Sequence, residues 1–131
     1  MIILFIFRSL PNTLIIYLKR FSYSRYQRDK LDVMVECPLE QLDMTPYVLH
    51  NPNNETFTYD LYAVANHFGG LGGGHYTAFS KNIHTKNWHC FDDTSVLIQT
   101  DPVITKSAYV LFYQRRTDES LNDVVMSDVS S

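Results

Sequence analysis

A chain of 131 residues with 45% hydrophobic side chains is long enough for one domain with a core of its own. Its formal net charge of −3 is unevenly spread: Asp118, Glu119, Asp123 and Asp128 follow the last basic residue, so ten of the 14 acidic groups face all 11 basic ones before residue 117. That near-neutral body carries no field for nucleic acid or a membrane surface, and two distant cysteines exclude a disulfide framework and a cysteine zinc site.

Met1 to Arg8 is apolar but too short to span a bilayer, and it lacks the basic start and cleavage site of a signal peptide. It reads as a buried strand or as a start foreign to the domain, over residues 1–9. Leu14 to Leu18 is a short continuous apolar run, the pattern of a strand buried on both faces. Ser22 to Lys30 is polar and basic. There Lys19, Arg20, Arg25, Arg28 and Lys30 interleave with Phe21, Tyr23 and Tyr26, but Asp29 and Asp32 interrupt the charge, which favours a solvated loop over a single-strand nucleic-acid surface.

Leu31 to Glu36 reads as a further strand, stopped by Cys37-Pro38. Leu42 to Leu49 fits no single period, and Asn51-Pro52-Asn53-Asn54 is a turn. Phe57 to His67 is strand-like, and a glycine-rich loop, Gly69 to Gly74, follows it. His75 to Ser80 and Asn87 to Phe91 form the arms of a hairpin, Ser95 to Ile98 a short strand, and Ala108 to Tyr113 the last one. Residues 117–131 lack aromatics, so an acidic, disordered tail is expected there. The fold class is mainly β.

The chemistry concentrates at Gly72-Gly73-Gly74-His75-Tyr76 and Phe91-Asp92-Asp93. Pairing His75 with Asp92 puts Thr77 opposite Cys90 and Phe79 opposite Trp88, an aromatic pair that favours this register. A carboxylate could then reach His75, whose imidazole can act as general base and acid with Asp92 fixing its tautomer, although from spacing alone a histidine satisfied within the structure is the commoner case. Asp93 points to the other face unless the strand bends.

Competing readings are weaker. No Gly-Lys-Ser/Thr follows the glycines and the next element is a strand, so they form no phosphate loop. His50, His67, His84 and His89 are dispersed without ligand spacing, so no metal is expected. Cys90 lies mid-strand and Cys37 beside Glu36, which opposes a thiolate; both read as structural rather than nucleophilic.

Five ordered motifs resemble the carboxyl-terminal half of a ubiquitin-specific protease domain, a papain-like cysteine protease. They are Leu10-Pro11 with Leu18-Lys19-Arg20-Phe21, Tyr59-Asp60-Leu61-Tyr62-Ala63-Val64, Gly73-Gly74-His75-Tyr76-Thr77-Ala78, Trp88 with Phe91-Asp92-Asp93, and Ala108-Tyr109-Val110-Leu111-Phe112-Tyr113. The resemblance covers residues 10–116. It implies the antiparallel palm sheet of a fold that is α+β when intact, with His75 as general base, Asp92 as its orienter and Asp93 assisting at the oxyanion. It also implies that His67, Gly73, Gly74 and Tyr76 bind ubiquitin's extended tail.

The resemblance implies no cofactor. Its partners are ubiquitin, ubiquitinated proteins and the missing amino-terminal half of the catalytic domain, where the family carries its cysteine. The expectation is a partial cysteine deubiquitinase of the cytoplasm or nucleus, inactive by itself, with a non-catalytic ubiquitin-binding module or pseudoenzyme as the alternative. Without the family's helical thumb, Leu14, Ile16 and Val64 should be exposed.

Overall fold

The computed structural model describes residues 5–23, 28–70 and 72–117. The expected disordered tail lies outside them beyond Thr117, as do Met1 to Leu4, Arg25 and Tyr26 of the basic segment, and Leu71. In chain order the strands are β1 (Thr13–Tyr17), β2 (Phe21–Tyr23), β3 (Arg28–Lys30), β4 (Leu42–Asp43), β5 (Thr58–Phe68), β6 (His75–Lys81), β7 (Trp88–Asp92), β8 (Ser95–Ile98) and β9 (Ala108–Arg115). One short 3-10 turn spans Thr45–Tyr47. Among the described residues no helix is long and apolar enough to cross a membrane.

Seven strands form one antiparallel sheet in the order β1-β9-β5-β6-β7-β8, with β4 pairing β5; β2 and β3 form a separate ribbon. The mainly β antiparallel fold is as expected. Its centre is β5, where the buried side alternates through Tyr59 and Leu61 and then shifts to Val64 and Asn66. A register shift against β9 between Leu61 and Ala63 causes that change, because one extra residue reverses which side chains face inward. Leu111 and Tyr113 of β9, with Phe57, Val103 and Ile104, complete the core. Two buried tyrosines also tether loops: Tyr59 donates its hydroxyl proton to the Pro11 carbonyl, and Tyr113 donates to that of Pro38 at 2.8 Å.

Several expectations require correction. Leu14 to Leu18 is not buried on both faces: β1 is an edge strand with Ile15 58% and Tyr17 51% exposed. The residues expected to be exposed are inward instead, since Leu14 and Ile16 pack on the core and Val64 is fully buried. Phe5, Ile6 and Phe7 are exposed rather than a buried strand, and Phe7 makes only an isolated bridge to Val48.

Leu31 to Glu36 forms no strand. Arg20, read as part of a solvated cluster, is almost completely buried and explains why. Its Nη1 donates to the carbonyls of Leu31 (2.9 Å) and Val33 (2.7 Å), while Nε donates to that of Ala108 (2.6 Å). The carbonyls a ladder would use are thus committed to a guanidinium.

Candidate active site

His75 opens β6 and Asp92 closes β7, and His75 Nε2 lies 2.6 Å from Asp92 Oδ1. An ionised carboxylate only accepts, so Nε2–H is the donor and Nδ1 is left as the basic nitrogen. Both side chains are 48% exposed, so the pair is open to a substrate.

The pair forms in a register that differs from the expected one. The ladder runs Ala78↔Phe91, Phe79↔Cys90, Ser80↔His89 and Lys81↔Trp88, two residues out of step with a direct His75–Asp92 pairing. The turn decides this. Asn82 Oδ1 accepts from the backbone N–H groups of His84 and Thr85, Asn82 N–H donates to the Asn87 carbonyl, and Lys86 takes a left-handed φ of +62°. This side-chain turn closes the hairpin at Asn82 and Asn87 and outweighs the Phe79–Trp88 pairing. A two-residue shift preserves the face, so His75 meets Asp92 diagonally rather than directly.

Asp93 meets the condition set for it, because the strand bends. The chain leaves β7 there through a two-residue turn closed by Asp92↔Ser95, with Asp93 at φ +48°. Aspartate tolerates that conformation better than most residues. The bend keeps Asp93 with the pair: ligand-type atoms of His75, Asp92 and Asp93 all lie within 4.8 Å of one another. The same three groups converge closely enough to be considered for a metal, but the 2.6 Å contact is a direct hydrogen bond.

On the opposite side of β6, a groove of about 510 Å³ is lined by His67, Gly73, Gly74 and Tyr76, with Tyr17, Lys19, Phe21, Gly70 and Tyr109. The four residues expected at a tail-binding channel therefore come together. Sequence reasoning missed Tyr17, Phe21 and Tyr109, which arrive from β1, β2 and β9. The Tyr17 and Tyr109 hydroxyls are 2.7 Å apart, and the rings of Phe21, Tyr76 and Tyr109 surround His67 with centroids 4.8–5.9 Å from it.

His67 is only 4% exposed. Burial lowers its pKa, the nearby Lys30 cation adds to that, and Asp32 opposes it. Lys30 Nζ donates to the His67 carbonyl at 3.0 Å. The ring also seats the glycine loop. A Cβ on Gly74 would collide with His67 Nε2 and lie 2.6 Å from the Phe68 carbonyl oxygen, so only glycine fits directly before His75.

Neither cysteine joins the pair. Cys90 stands opposite Phe79, four residues and about 13 Å along the strand from His75. Cys37 Sγ donates to the Val35 carbonyl at 3.6 Å, and burial raises its pKa against the pull of Arg20. Desolvation, rather than Glu36, is thus the main obstacle to a thiolate.

Residues 5–113 match the family model described as ubiquitin carboxyl-terminal hydrolase. The chain belongs to this family. Ubiquitin carboxyl-terminal hydrolase 15 of Homo sapiens is 55% identical over 109 residues, 82% of this chain and 11% of that protein. Ubiquitin carboxyl-terminal hydrolase 4 of Bos taurus is 54% identical over 112 residues, 85% of this chain and 12% of that protein. The chain thus spans about a tenth of the length of these curated relatives.

Among solved structures, a chain of the SAGA Ubp8/Sgf11/Sus1/Sgf73 DUB module aligns with a TM-score of 0.72 and 34% identity, over 84% of this chain and 25% of that one. A chain of the same module bound to monoubiquitin aligns with the same score and identity, over 82% and 24%. The seven-stranded sheet is accordingly part of a ubiquitin-specific protease fold.

Proposed function

We propose that this segment supplies the acid–base half, and one wall of the ubiquitin-tail channel, of a thiol-dependent deubiquitinase. The observation that carries this reading is the 2.6 Å His75–Asp92 contact beside a glycine loop and an aromatic groove. His75 Nδ1 takes the proton of a cysteine thiol, the thiolate attacks the carbonyl of ubiquitin's last glycine, and His75 returns the proton to the departing amine. Water then hydrolyses the thioester with His75 as base again. Asp92 holds Nε2–H in place and stabilises the imidazolium, and Asp93 assists where the oxyanion develops.

The groove would hold the extended tail, with Tyr76 and the aromatic rings as walls. Groove and pair occupy opposite faces of β6 and meet at its first residue. There Gly73 and Gly74 present no side chain to separate them, which suits a substrate that itself ends in glycines. The thiol comes from a segment other than residues 5–117, because Cys37 and Cys90 lack both the position and the environment. The 131-residue polypeptide alone is therefore inactive, and it acts together with the cysteine-bearing half of a catalytic domain in the cytoplasm or nucleus.

Two measurements on the polypeptide check this. Titration with ubiquitin should move the backbone amide resonances of His67, Gly73, Gly74 and Tyr76 most, and a ubiquitin carboxyl-terminal fluorogenic amide should not turn over. Turnover, or labelling of Cys37 or Cys90 by a ubiquitin warhead probe, would show the nucleophile to be misplaced. Binding without any gain of activity on adding a cysteine-bearing half would favour the non-catalytic ubiquitin-binding module.

A further inference from the structure

The His67 ring is buried, and its Nδ1 has no hydrogen-bond partner among the described residues. A buried N–H without an acceptor is rarer and costlier than a buried lone pair, so the neutral ring carries its proton on Nε2. Nδ1 is then the nitrogen that takes a proton when the ring becomes charged. Nε2 lies against Gly74, where a Cβ would collide with it. Phe21 of β2, Tyr76 of β6 and Tyr109 of β9 hold the ring from its other sides.

The glycines that the ring supports lie beyond the strand pairing. The β5–β6 ladder ends at Phe68↔His75, and Gly69, Gly73 and Gly74 form the neck of the loop outside it. Gly69 has a left-handed φ of +97°, and a Cβ on it would lie 3.2 Å from Gly74 Cα and 3.3 Å from the Gly73 carbonyl oxygen. The two glycine stretches therefore meet backbone to backbone, with the His67 ring packed against Gly74 as side-chain support.

A charge is poorly accommodated in that seat. Burial lowers the pKa of His67, the Lys30 cation adds to this, and Asp32 opposes it. Lys19 and the phenols of Tyr17, Tyr76 and Tyr109 also line the groove, Arg20 stands just before β2 on the Ala108 carbonyl, and His75 follows Gly74. None of them supplies an acceptor to Nδ1. A protonated ring would hold an unpaired Nδ1–H beside a cation, and it gains water by leaving its seat for the groove that it lines.

We propose that His67 is a pH-operated latch of the groove. Neutral, its ring seats Gly73 and Gly74 and keeps the channel shaped for an extended chain; protonated, the ring unseats and the glycine wall is released. That the extended chain is ubiquitin's tail rests on the function proposed above, whereas the latch does not. Tail binding is then complete above the ordinary histidine value of 6.5 and weakens as pH falls through the lower value of His67.

The test uses the 131-residue chain carrying His75→Gln, which silences the neighbouring imidazole, alone and with H67F or K30M added. The His67 ring and the Gly73 and Gly74 amides are followed by NMR from about pH 7.5 to about pH 5, with ubiquitin affinity measured by calorimetry at each step. The glycine amides should shift with the midpoint of the ring, below 6.5, and affinity should fall about tenfold per pH unit beneath that midpoint, the slope of a single proton. H67F should keep its affinity within about twofold across the range, with the glycine amides still. K30M removes the cation and should move the ring and glycine midpoints upward together.

Glycine amides that ignore the titration of the ring, or a pH dependence of binding that survives in H67F, would overturn the latch. Should H67F fail to fold, K30M decides, and glycine midpoints that stay in place while the ring midpoint moves contradict the proposal. If ring and glycines titrate together but ubiquitin binds at no pH, the latch stands and the reading of the groove as a ubiquitin channel fails.

Discussion

The β5–β9 centre of the sheet and its β7–β8 arm are built on opposite terms. In the centre, Tyr59, Leu61, Val64, Leu111 and Tyr113 are at most 1% exposed, and the two tyrosines tether flanking loops. In the arm, Val96, Leu97 and Ile98 are each more than half exposed, and β8 is paired only with β7. His75 and Asp92 sit where the two meet, at strand ends that the core aligns but does not cover. Order is supplied from the buried side and access from the exposed side, and a substitution should affect one or the other.

The largest effect should be purely catalytic. In an enzyme reassembled with a cysteine-bearing half, Asp92→Asn should lower kcat by about 10³–10⁴, since shape survives and the wrong tautomer is favoured. The thermal midpoint of the isolated chain should barely move. A large loss of stability would place Asp92 with the core instead.

Leu61→Ala should do the reverse and destabilise by about 2–5 kcal/mol in urea unfolding, through lost burial and the cavity left behind. Gly74→Ala tests the boundary between the regions. Its Cβ would press on the His67 ring and the Phe68 carbonyl, costing about 1–3 kcal/mol and weakening ubiquitin binding in a calorimetric titration.

A smaller effect should appear with pH. Burial depresses the pKa of His67 below its ordinary 6.5, so the unfolded chain binds the extra proton first. Stability from this residue is complete above pH 6.5 and is lost as pH falls below that value. His67→Phe should flatten the dependence of the urea midpoint between pH 7.5 and the acid side, and an unchanged slope would assign it to another group. The smallest effect is expected in the arm, where Leu97→Lys should stay within about 0.5 kcal/mol of wild type.

Much of this division was legible in the sequence, because β5, β6 and β9 carry the β-branched and aromatic runs that strands require. The common face of His75 and Asp92 was legible too, since side-chain alternation survives a two-residue error. The exact register was not: it depends on Asn82 binding the backbone of its own turn, a local preference outweighed on paper by an aromatic pair. Arg20 misled for a similar reason. A guanidinium that satisfies three carbonyls from distant segments looks, in sequence, like one member of a basic cluster. The groove needed the fold, because Tyr17, Phe21 and Tyr109 lie up to 92 residues apart.

The central claim is that this chain brings the base to a thiol held elsewhere. The most direct measurement is hydrolysis of a ubiquitin carboxyl-terminal amide by the 131-residue chain, by a cysteine-bearing half of a family member, and by their mixture, with wild-type chain and His75→Ala in parallel. Activity should appear only in the mixture and only with His75 present, while both chains assemble equally well. Equal turnover by the His75→Ala mixture would contradict the claim.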